Sequence, residues 1–371
     1  MRASDVDVAI VGGGPAGTAA ALTLLTYSDL RVAVVERSEY TQERVGETVS
    51  PGLQPLLAYL GVWASFQRDG HLPAHASSAA WGSAQVQSRD FLFTGRGEGW
   101  LLDRRRFDLR LAEEVQEKGG TLLSRTAVAA CAPDGRGGWR LETAGAGRRS
   151  RVLRARFLID ASGKGSLLAR RFGARQQIFD RLVGVTVFFD LPAGDRELST
   201  LIESAADGWW YSAPLPDGRA VVTLLSDTDL VRRLRLCDPD VWLAALGTTQ
   251  HVRERLQGGT LRSPLRIVPA HSRCLLPAGG PGWVAAGDAV ASFDPLSSMG
   301  IGHAVSSGIH AARVAFDHLD GGGDLLRQYG EGVARSARQY LELRRRFYLL
   351  ERRWSDRPFW ARRHAEVAGL C

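Results

Sequence analysis

Three glycines near the N-terminus have the spacing of a phosphate-binding turn. Gly12, Gly14 and Gly17 form a G-x-G-x-x-G pattern directly after the apolar run at residues 6–11. The first glycine of such a turn permits a tight bend, the second lets a pyrophosphate approach the backbone, and the third allows helix and strand to pack closely. Glu36 ends the next apolar run, where an acid accepts hydrogen bonds from ribose hydroxyls and repels a 2′-phosphate. The pattern predicts a site for FAD or NAD rather than NADP.

A second candidate site lies late in the chain. Residues 282–288 (GWVAAGD) read as a buried strand that stops at Gly287 and Asp288, and a loop then leads into a helix near residue 300. The N-terminus of a helix presents free backbone N–H groups, so this segment can face an anionic or electron-poor group. A helix cap is the alternative role of Asp288.

These segments resemble the FAD-dependent monooxygenases, a superfamily that includes the flavin-dependent halogenases and the geranylgeranyl reductases. The Asp160-Ala161-Ser162-Gly163 sequence fits the halogenase-like branch, as do residues 43–61 and 102–120. The resemblance implies that Asp288 binds the ribityl chain, that Arg44 and Arg104 contact the phosphates or ribityl chain, and that Val128 offers backbone to the adenine. It also implies that the residues around Gly300 lie beside the flavin ring. The predicted FAD-binding residues are Gly12, Gly14, Pro15, Ala16, Gly17, Glu36, Arg37, Arg44, Arg104, Val128, Asp160, Gly287, Asp288, Pro295, Ser298, Gly300 and Ile301.

The segment ERRWSDRPFWARRH at residues 351–364 carries a narrower resemblance. It is similar to the C-terminal segment of the halogenase-like flavoproteins of cysteine tryptophylquinone biogenesis, the maturases of lysine ε-oxidase and glycine oxidase. This resemblance implies an aromatic substrate that is a tryptophan residue of a partner protein or peptide.

Halogenation is disfavoured by the distribution of lysine. The halogenases carry a lysine in the substrate tunnel. The resemblance places this lysine within residues 47–117 of the present chain, and that stretch contains none. The only lysines are Lys118 and Lys164. The Trp-x-Trp-x-Ile-Pro motif of the halogenases is also degenerate here, since residues 209–214 read WWYSAP.

We therefore predict a FAD-dependent monooxygenase that hydroxylates an aromatic substrate. Electrons would come from NAD(P)H that binds transiently or from a separate flavin reductase, because no second G-x-G-x-x-G unit is evident. The alternatives are a tryptophan or indole halogenase, a geranylgeranyl-reductase-like FAD reductase or dehydrogenase, and a flavin-binding assembly factor without catalytic activity.

Histidines and aromatic residues supply the catalytic and pocket candidates. His71 and His75 are candidate bases because imidazole titrates near neutral pH. Trp209 and Tyr211 are further catalytic candidates, and Trp81 and Trp210 are candidate walls of the substrate pocket. Large aromatic residues on strands are equally typical of a core.

The elements that must position these residues form an α/β (α+β) fold. We predict a Rossmann-like FAD-binding domain at residues 1–48, 101–165 and 277–322, and an inserted antiparallel-sheet substrate domain at residues 49–100 and 166–276. A basic, aromatic C-terminal helical segment follows at residues 323–371. Helical spacing predicts that one face of this segment is a buried stripe of aromatic and aliphatic residues, namely Tyr340, Leu343, Phe347, Leu350 and Trp354.

Composition and charge restrict the compartment and the kinds of partner that we expect for this protein. The chain has 371 residues, a net charge of +7 and four widely separated cysteines. We expect a cytoplasmic protein without signal peptide, membrane span, disulfide framework or metal site. Residues 327–371 hold 11 arginines and five acids, so most of the net positive charge of the chain lies in the C-terminal segment. Without a nucleic-acid-binding motif, this surplus indicates either solvated arginines or a docking surface for an acidic partner.

Overall fold

The computed structural model describes residues 3–91, 97–145, 148–194 and 197–365, and every structural statement below concerns these residues. The predicted C-terminal segment thus extends beyond them, because residues 366–371 lie outside the described part of the chain.

The strands are short and numerous. They are β1 (Ala3–Val11), β2 (Val32–Val35), β3 (Thr48–Val49), β4 (Leu72–Ala74), β5 (Ala76–Ala80), β6 (Gln87–Asp90), β7 (Gly99–Leu101), β8 (Thr121–Leu123), β9 (Thr126–Pro133), β10 (Trp139–Gly145), β11 (Arg148–Asp160), β12 (Arg175–Ile178), β13 (Leu182–Asp190), β14 (Ser199–Ala205), β15 (Gly208–Pro214), β16 (Arg219–Asp227), β17 (Thr260–Leu261), β18 (Arg266–Pro269), β19 (Arg273–Leu276), β20 (Gly279–Gly280), β21 (Trp283–Ala285) and β22 (Ala291–Ser292).

The two longest of the described helices are consecutive and lie in the C-terminal part of the chain. They are α1 (Pro15–Tyr27), α2 (Leu53–Tyr59), α3 (Trp63–Arg68), α4 (Arg104–Glu117), α5 (Leu167–Arg171), α6 (Thr228–Arg233), α7 (Pro239–Gly247), α8 (His251–Arg255), α9 (Gly300–Leu319), α10 (Asp324–Leu350) and α11 (Pro358–Ala365).

The first sheet has a parallel centre with the strand order β20-β21-β11-β1-β2-β8, and β10 and β9 extend it from β11. Residues 8–11 of β1 and all of β2 are apolar and buried, and a parallel sheet needs such strands because helices cover both of its faces. The carboxyl ends of β1, β2, β11 and β21 meet at one edge. There the backbone N–H of Ala161 donates to Val11 and that of Ala286 donates to Asp160.

The second sheet is largely antiparallel, in the order β17-β13-β16-β15-β14-β5-β6, with β18 paired to β13. Helices α6, α7 and α8 pack on one face, where Trp210 contacts Trp242. The opposite face carries Trp209 and packs against the C-terminal helices. The two tryptophans point to opposite faces because side chains alternate along a strand.

This architecture confirms the predicted fold class, a nucleotide-binding α/β sheet combined with an antiparallel sheet and C-terminal helices. The exact domain boundaries stay predictions. One segment behaves differently from the predicted division: Leu53, Leu57 and Phe66 of α2 and α3 belong to the core of the first sheet, although they lie in the range predicted for the substrate domain.

The predicted stripe on the C-terminal helix is wrong by about one position. Tyr340 is buried as expected, but Leu343, Phe347 and Leu350 are exposed. The buried face of α10 instead includes Leu341, Arg344 and Tyr348. A stripe chosen by hydrophobicity missed this face because it contains a buried arginine, which is paired with Asp180 at 3.3 Å.

Several arginines of the C-terminal segment bind carboxylates on the rest of the chain. Arg357 pairs with Asp207 at 3.1 Å, and Arg363 pairs with Asp227 at 2.8 Å. The Arg363 guanidinium is buried and also lies over the rings of Tyr348 and Phe359. These arginines therefore attach the C-terminal helices to the second sheet, Arg363 from a buried position and Arg357 from an exposed one.

Within the described part of the chain, no helix is long and apolar enough to cross a membrane. The same residues contain no cluster of histidine, cysteine, aspartate and glutamate that could hold a metal ion.

Replacing Arg363 with alanine is expected to lower the free energy of unfolding by about 3 kcal/mol, because the buried Asp227 carboxylate then keeps only the partly exposed Arg362 as a partner. Urea unfolding followed by tryptophan fluorescence measures this loss. Arg335→Ala is the matched control, since both members of the Arg335–Glu331 pair are exposed and removal of such a pair changes stability by about 1 kcal/mol at most. Equal losses in the two variants would contradict the attachment described here.

Candidate flavin site and substrate cleft

The glycine-rich turn between β1 and α1 has the backbone geometry of a phosphate site. Gly12 has φ +110°, and a Cβ there would overlap the carbonyl oxygen of Ala161. A Cβ at Gly17 would overlap the carbonyl oxygen of Gly12. Helix α1 begins at Pro15 with Gly14 as an N-cap that has no side-chain hydrogen bond. The first N–H groups of α1 are therefore available to an anion.

Glu36 lies directly beside this turn. Its carboxylate accepts hydrogen bonds from the backbone N–H of Gly13 at 2.7 Å and of Ser38 at 2.8 Å. Burial alone would raise the pKa of Glu36, but the hydrogen bonds from Ser38 and Gly13 and the nearby Arg44 hold it below its usual value. The carboxyl is thus ionised at neutral pH. Arg37, the next residue, is exposed.

Arg44 and Arg104 share the buried carboxylate of Asp108. Arg44 contacts Asp108 at 2.8 Å and donates to Ser38 Oγ at 3.0 Å. Arg104 contacts Asp108 at 3.2 Å and donates to the carbonyl of Val45 at 2.6 Å. The Arg44 guanidinium would lie 3.8 Å from a Cβ placed on Gly14, so it stands beside the phosphate-binding turn. Arg104 chiefly holds the 41–50 segment in place.

The Asp160 carboxylate is hydrogen bonded within the chain, and its predicted contact with FAD stays a prediction. It accepts hydrogen bonds from the N–H groups of Leu168 and Ala169 and from the Ser162 side chain. These partners saturate the carboxylate, so Asp160 caps α5. Val128 is buried in β9, opposite Thr143 of β10.

The late segment meets the glycine-rich turn in space. A Cβ on Gly287 would overlap the Cβ of Ala16. The half-buried Asp288 follows, and its carboxylate makes no hydrogen bond or ion pair that we detect within the described residues. Helix α9 begins at Gly300, where no atom lies within 4 Å of the position that a Cβ would occupy. The neighbouring Ile301 is buried. The start of α9 thus has open space in front of it.

The loop before α9 is fixed from behind by α10. Asp294 accepts a hydrogen bond from Tyr348 Oη at 2.7 Å and lies 3.5 Å from Arg344. Its backbone N–H donates to Tyr340 Oη at 2.7 Å. Pro295 follows at once, and Ser298 is exposed with φ +50°.

His303 in the first turn of α9 was not among the predicted residues. Its Nε2 atom is buried without a hydrogen-bond partner, and its ring packs on Phe293 at 4.7 Å. Burial lowers the pKa of His303 to about 4, so the ring is neutral. Only its position three residues after Gly300 could have drawn attention to it.

The aromatic pocket candidates form packing contacts instead of one pocket. Trp81 donates to the carbonyl of Phe347 at 2.8 Å, and Trp209 donates to Tyr348 Oη at 3.1 Å. Both rings lie under the C-terminal helices, whereas Trp210 lies on the other face of the sheet. The structure therefore does not bring these three tryptophans together.

The two candidate histidines also lie apart from the tryptophans. His71 is buried between Phe66 and Phe107, and its Nδ1 accepts a hydrogen bond from the N–H of Asp103 at 3.3 Å. Burial lowers the pKa of His71 to about 4. His75 is more than half exposed and lies 3.3 Å from Glu98. Neither histidine belongs to the buried cluster that contains Trp209 and packs against Trp81.

Tyr211 reaches a different group, which the sequence analysis missed. Its hydroxyl hydrogen bonds with Thr48 Oγ1 at 2.8 Å and donates to Glu47 Oε2 at 3.5 Å. The side chain of Glu47 is 1% exposed, and its Oε1 atom has no hydrogen-bond partner. Burial raises the pKa of Glu47 to about 7. The available signal was an acid between Gly46 and Thr48, within the 43–61 segment that carries the family resemblance.

Glu47 lines a cleft between the 41–50 segment and the second sheet. The cleft is narrow, with a volume of about 20 Å³ that suits about one water molecule, and charged residues line it together with the apolar Leu102, Phe188 and Leu215. Arg219 lies over the Phe188 ring at 5.1 Å and pairs with Glu43 at the edge. The two sheets thus meet at a cleft that combines apolar walls with one buried carboxyl.

Comparisons with known proteins agree with this geometry. A family model described as a FAD binding domain matches residues 5–343. LodB of Marinomonas mediterranea, whose name assigns it as a FAD-dependent oxidoreductase, is 35% identical over 361 residues, which cover 97% of each chain. The structure of the flavin-dependent halogenase CmlS superposes with a TM-score of 0.87 at 26% identity, covering 98% of this chain and 68% of that one.

A third protein shares the fold at lower identity. The peptidyl tryptophan dihydroxylase QhpG, essential for tryptophylquinone cofactor biogenesis, superposes with a TM-score of 0.76 at 24% identity and covers 99% of this chain and 80% of its own. The glycine-rich turn, the unpaired Asp288 carboxylate and the open start of α9 all fit FAD. The chain therefore belongs to the FAD-binding-domain family, has the fold of the flavin-dependent halogenases and is a FAD-dependent oxidoreductase.

Proposed function

We propose that this enzyme is a FAD-dependent monooxygenase that hydroxylates the tryptophan side chain of a partner protein or peptide. The observation that carries the proposal is the match to QhpG across 99% of this chain, joined to the 35% identity with LodB. The absence of lysine from residues 47–117 supports hydroxylation over halogenation. Lys164 donates to the carbonyl of Pro269 at 2.6 Å, which supports a structural role for this remaining candidate.

The proposed roles of the FAD-binding residues follow from the contacts above. The turn from Gly12 to Gly17 would hold the pyrophosphate, Glu36 the adenosine ribose and Asp288 the ribityl chain. The start of α9 would face the flavin ring, where its N-terminal partial positive charge stabilises negative charge. Reduced FAD bound here supplies two electrons, with which one atom of dioxygen enters the substrate and the other forms water.

The protein's own contribution would be to orient the aromatic ring and to exclude water. The buried apolar residues Leu102, Phe188 and Leu215 beside Glu47 suit the exclusion of water. Glu47 is the ionisable group best placed to exchange a proton there, because its carboxyl is buried and titrates near neutral pH. The source of electrons would be NAD(P)H or a separate flavin reductase.

Replacing Asp288 with alanine is expected to weaken FAD binding about tenfold or more, because a charged hydrogen-bond acceptor for the ribityl hydroxyls is lost. Titration of the apoprotein with FAD, followed by flavin fluorescence, measures the affinity. Asp29→Ala, which removes an exposed acid from the turn after α1, is the control and should bind FAD as the wild type does. Unchanged affinity in the Asp288 variant would remove this residue from the site.

The reaction itself is tested with the FAD-loaded enzyme, a flavin reductase with NADH, chloride and a tryptophan-containing protein or peptide. Mass spectrometry under isotope-labelled dioxygen should show labelled oxygen in the tryptophan side chain and no chlorine. A chlorinated product would favour the halogenase alternative. Flavin reoxidation without any modified product, across candidate partners, would favour the reductase or the assembly factor.

A further inference from the structure

Helix α10 presents a row of large apolar side chains to solvent beside its buried face. Leu343, Phe347 and Leu350 are 47%, 44% and 61% exposed, and we call these three residues the α10 stripe. They follow the spacing i, i+4 and i+7, which places them on one side of the helix over about 10 Å. Exposed apolar residues that lie singly are ordinary, whereas a contiguous group of them marks an interaction site.

The backbone beneath the α10 stripe is fixed by contacts with the rest of the chain. Trp81 Nε1 donates a hydrogen bond to the carbonyl of Phe347 at 2.8 Å. The adjacent Tyr348 is buried and donates to the Asp294 carboxylate at 2.7 Å. The α10 stripe could turn inward only if these contacts broke, so its exposure belongs to the folded protein.

The exposed charges around the α10 stripe are mostly positive. Between residues 338 and 353, the exposed charged side chains are Arg338, Glu342, Arg346, Arg352 and Arg353. Arg353 pairs with the buried Glu351 carboxylate, and the exposed pair of Arg346 with Glu342 contributes little. Arg338 and Arg352 form no ion pair within the described part of the chain. The apolar surface is thus bordered by positive charge that these residues do not neutralise.

This combination restricts the chemistry of the partner. A helix face with apolar residues at this spacing packs well against a second helix, whose side chains fill the spaces between them. The basic border favours acidic residues on that helix, since opposite charges promote association and like charges oppose it. A second copy of this chain, packed stripe against stripe, would bring Arg346 and Arg352 close to the same arginines of the other copy. The charges therefore favour an acidic partner over self-association.

Helix α10 connects this surface with the proposed flavin site. Its buried face holds Asp294 in the loop before α9, through Tyr340, Arg344 and Tyr348. A helix with its side chains is about 10 Å wide, so a partner on the α10 stripe would lie about one helix width from that loop.

We propose that the α10 stripe and the arginines around it dock an acidic amphipathic helix of the protein whose tryptophan is hydroxylated. The inference rests on the proposed function, which makes the substrate a protein or peptide. Binding energy from this remote contact holds the substrate beside the FAD site, so that less of the reaction barrier comes from bringing the two together.

Two fluorescently labelled helical peptides test the inference by fluorescence anisotropy with the FAD-loaded protein. Both peptides carry leucines at the spacing of the α10 stripe, and the remaining positions hold mainly glutamate in one peptide and mainly lysine in the other. We expect the wild type to bind the glutamate peptide about tenfold or more tightly than the lysine peptide. This preference should decrease as salt is added, because salt screens exposed charges.

Phe347→Ser tests the apolar part of the surface and leaves the carbonyl that Trp81 binds in place. It should weaken binding of the glutamate peptide about tenfold, because the phenyl ring is no longer there to be buried. Phe316→Ser is the matched control, since Phe316 of α9 is 45% exposed and lies outside the α10 stripe. This control should bind the peptide as the wild type does.

Arg346→Glu tests the basic border. It should reduce the preference for the glutamate peptide over the lysine peptide. Arg235→Glu is the control for a change of charge elsewhere, because the Arg235 side chain is 75% exposed and that of Arg346 is 74% exposed. The preference should be unchanged in this control.

The inference is overturned if the glutamate peptide does not bind, if both peptides bind equally, or if Phe347→Ser binds as the wild type does. A dimer of the wild type in light scattering that Phe347→Ser dissociates would assign the α10 stripe to a second copy. Tighter peptide binding after deletion of residues 366–371 would assign it to the end of this chain. Either result would also reject the proposal.

The peptide assay involves no turnover and is independent of the mass-spectrometric assay. Peptide binding as expected, without hydroxylation of any partner, would reject the proposed function and keep the docking surface. Hydroxylation of a partner protein at low concentration, at a rate that Phe347→Ser leaves unchanged, would reject only the docking surface.

Discussion

Ala16 lies where backbone segments from the two ends of the chain meet with almost no side chain between them. A Cβ on Gly287 would overlap the Ala16 side chain, and a Cβ on Gly308 of α9 would overlap the Ala16 carbonyl oxygen. On the other side of the turn, Gly12 meets the backbone of Ala161. The start of α1, the end of β11, the turn after β21 and helix α9 can approach one another only because these positions lack bulk. The parts of the FAD site are separated by hundreds of residues, and this contact brings them together.

The C-terminal helices hold the loop in front of α9 in place. Tyr340, Arg344 and Tyr348 contact Asp294 from behind, and burial raises the pKa of this carboxyl while Arg344 opposes the rise. Further along, Arg363 and Asp227 join α11 to the second sheet. Part of the basic tail that suggests a docking surface in the sequence therefore belongs to the scaffold, where Arg344, Arg357 and Arg363 pair with carboxylates outside the tail.

The contact between the two sheets creates the second important environment. Glu47 belongs to the segment before β3, Tyr211 to the second sheet, and Leu102 to the approach to α4. None of these residues forms a site by itself. Their approach removes the Glu47 carboxyl from water, which raises its pKa toward 7 and gives an ordinary acid the properties of a proton-exchanging or recognition group.

The fold class and a dinucleotide site could be predicted from the sequence, and the family resemblance identified the dinucleotide as FAD. The turn from Gly12 to Gly17, Glu36 and the Gly287-Asp288 pair are short contiguous patterns, and their chemistry depends on local backbone geometry that neighbouring residues dictate. The tertiary structure decided which side chains are buried against which partners. It placed Trp209 and Trp210 on opposite faces, used the Asp160 carboxylate as a helix cap, turned α10 to bury Arg344, and left Glu47 with an unpaired oxygen. Burial and pairing are properties of elements that are distant in sequence, so no local pattern could have specified them.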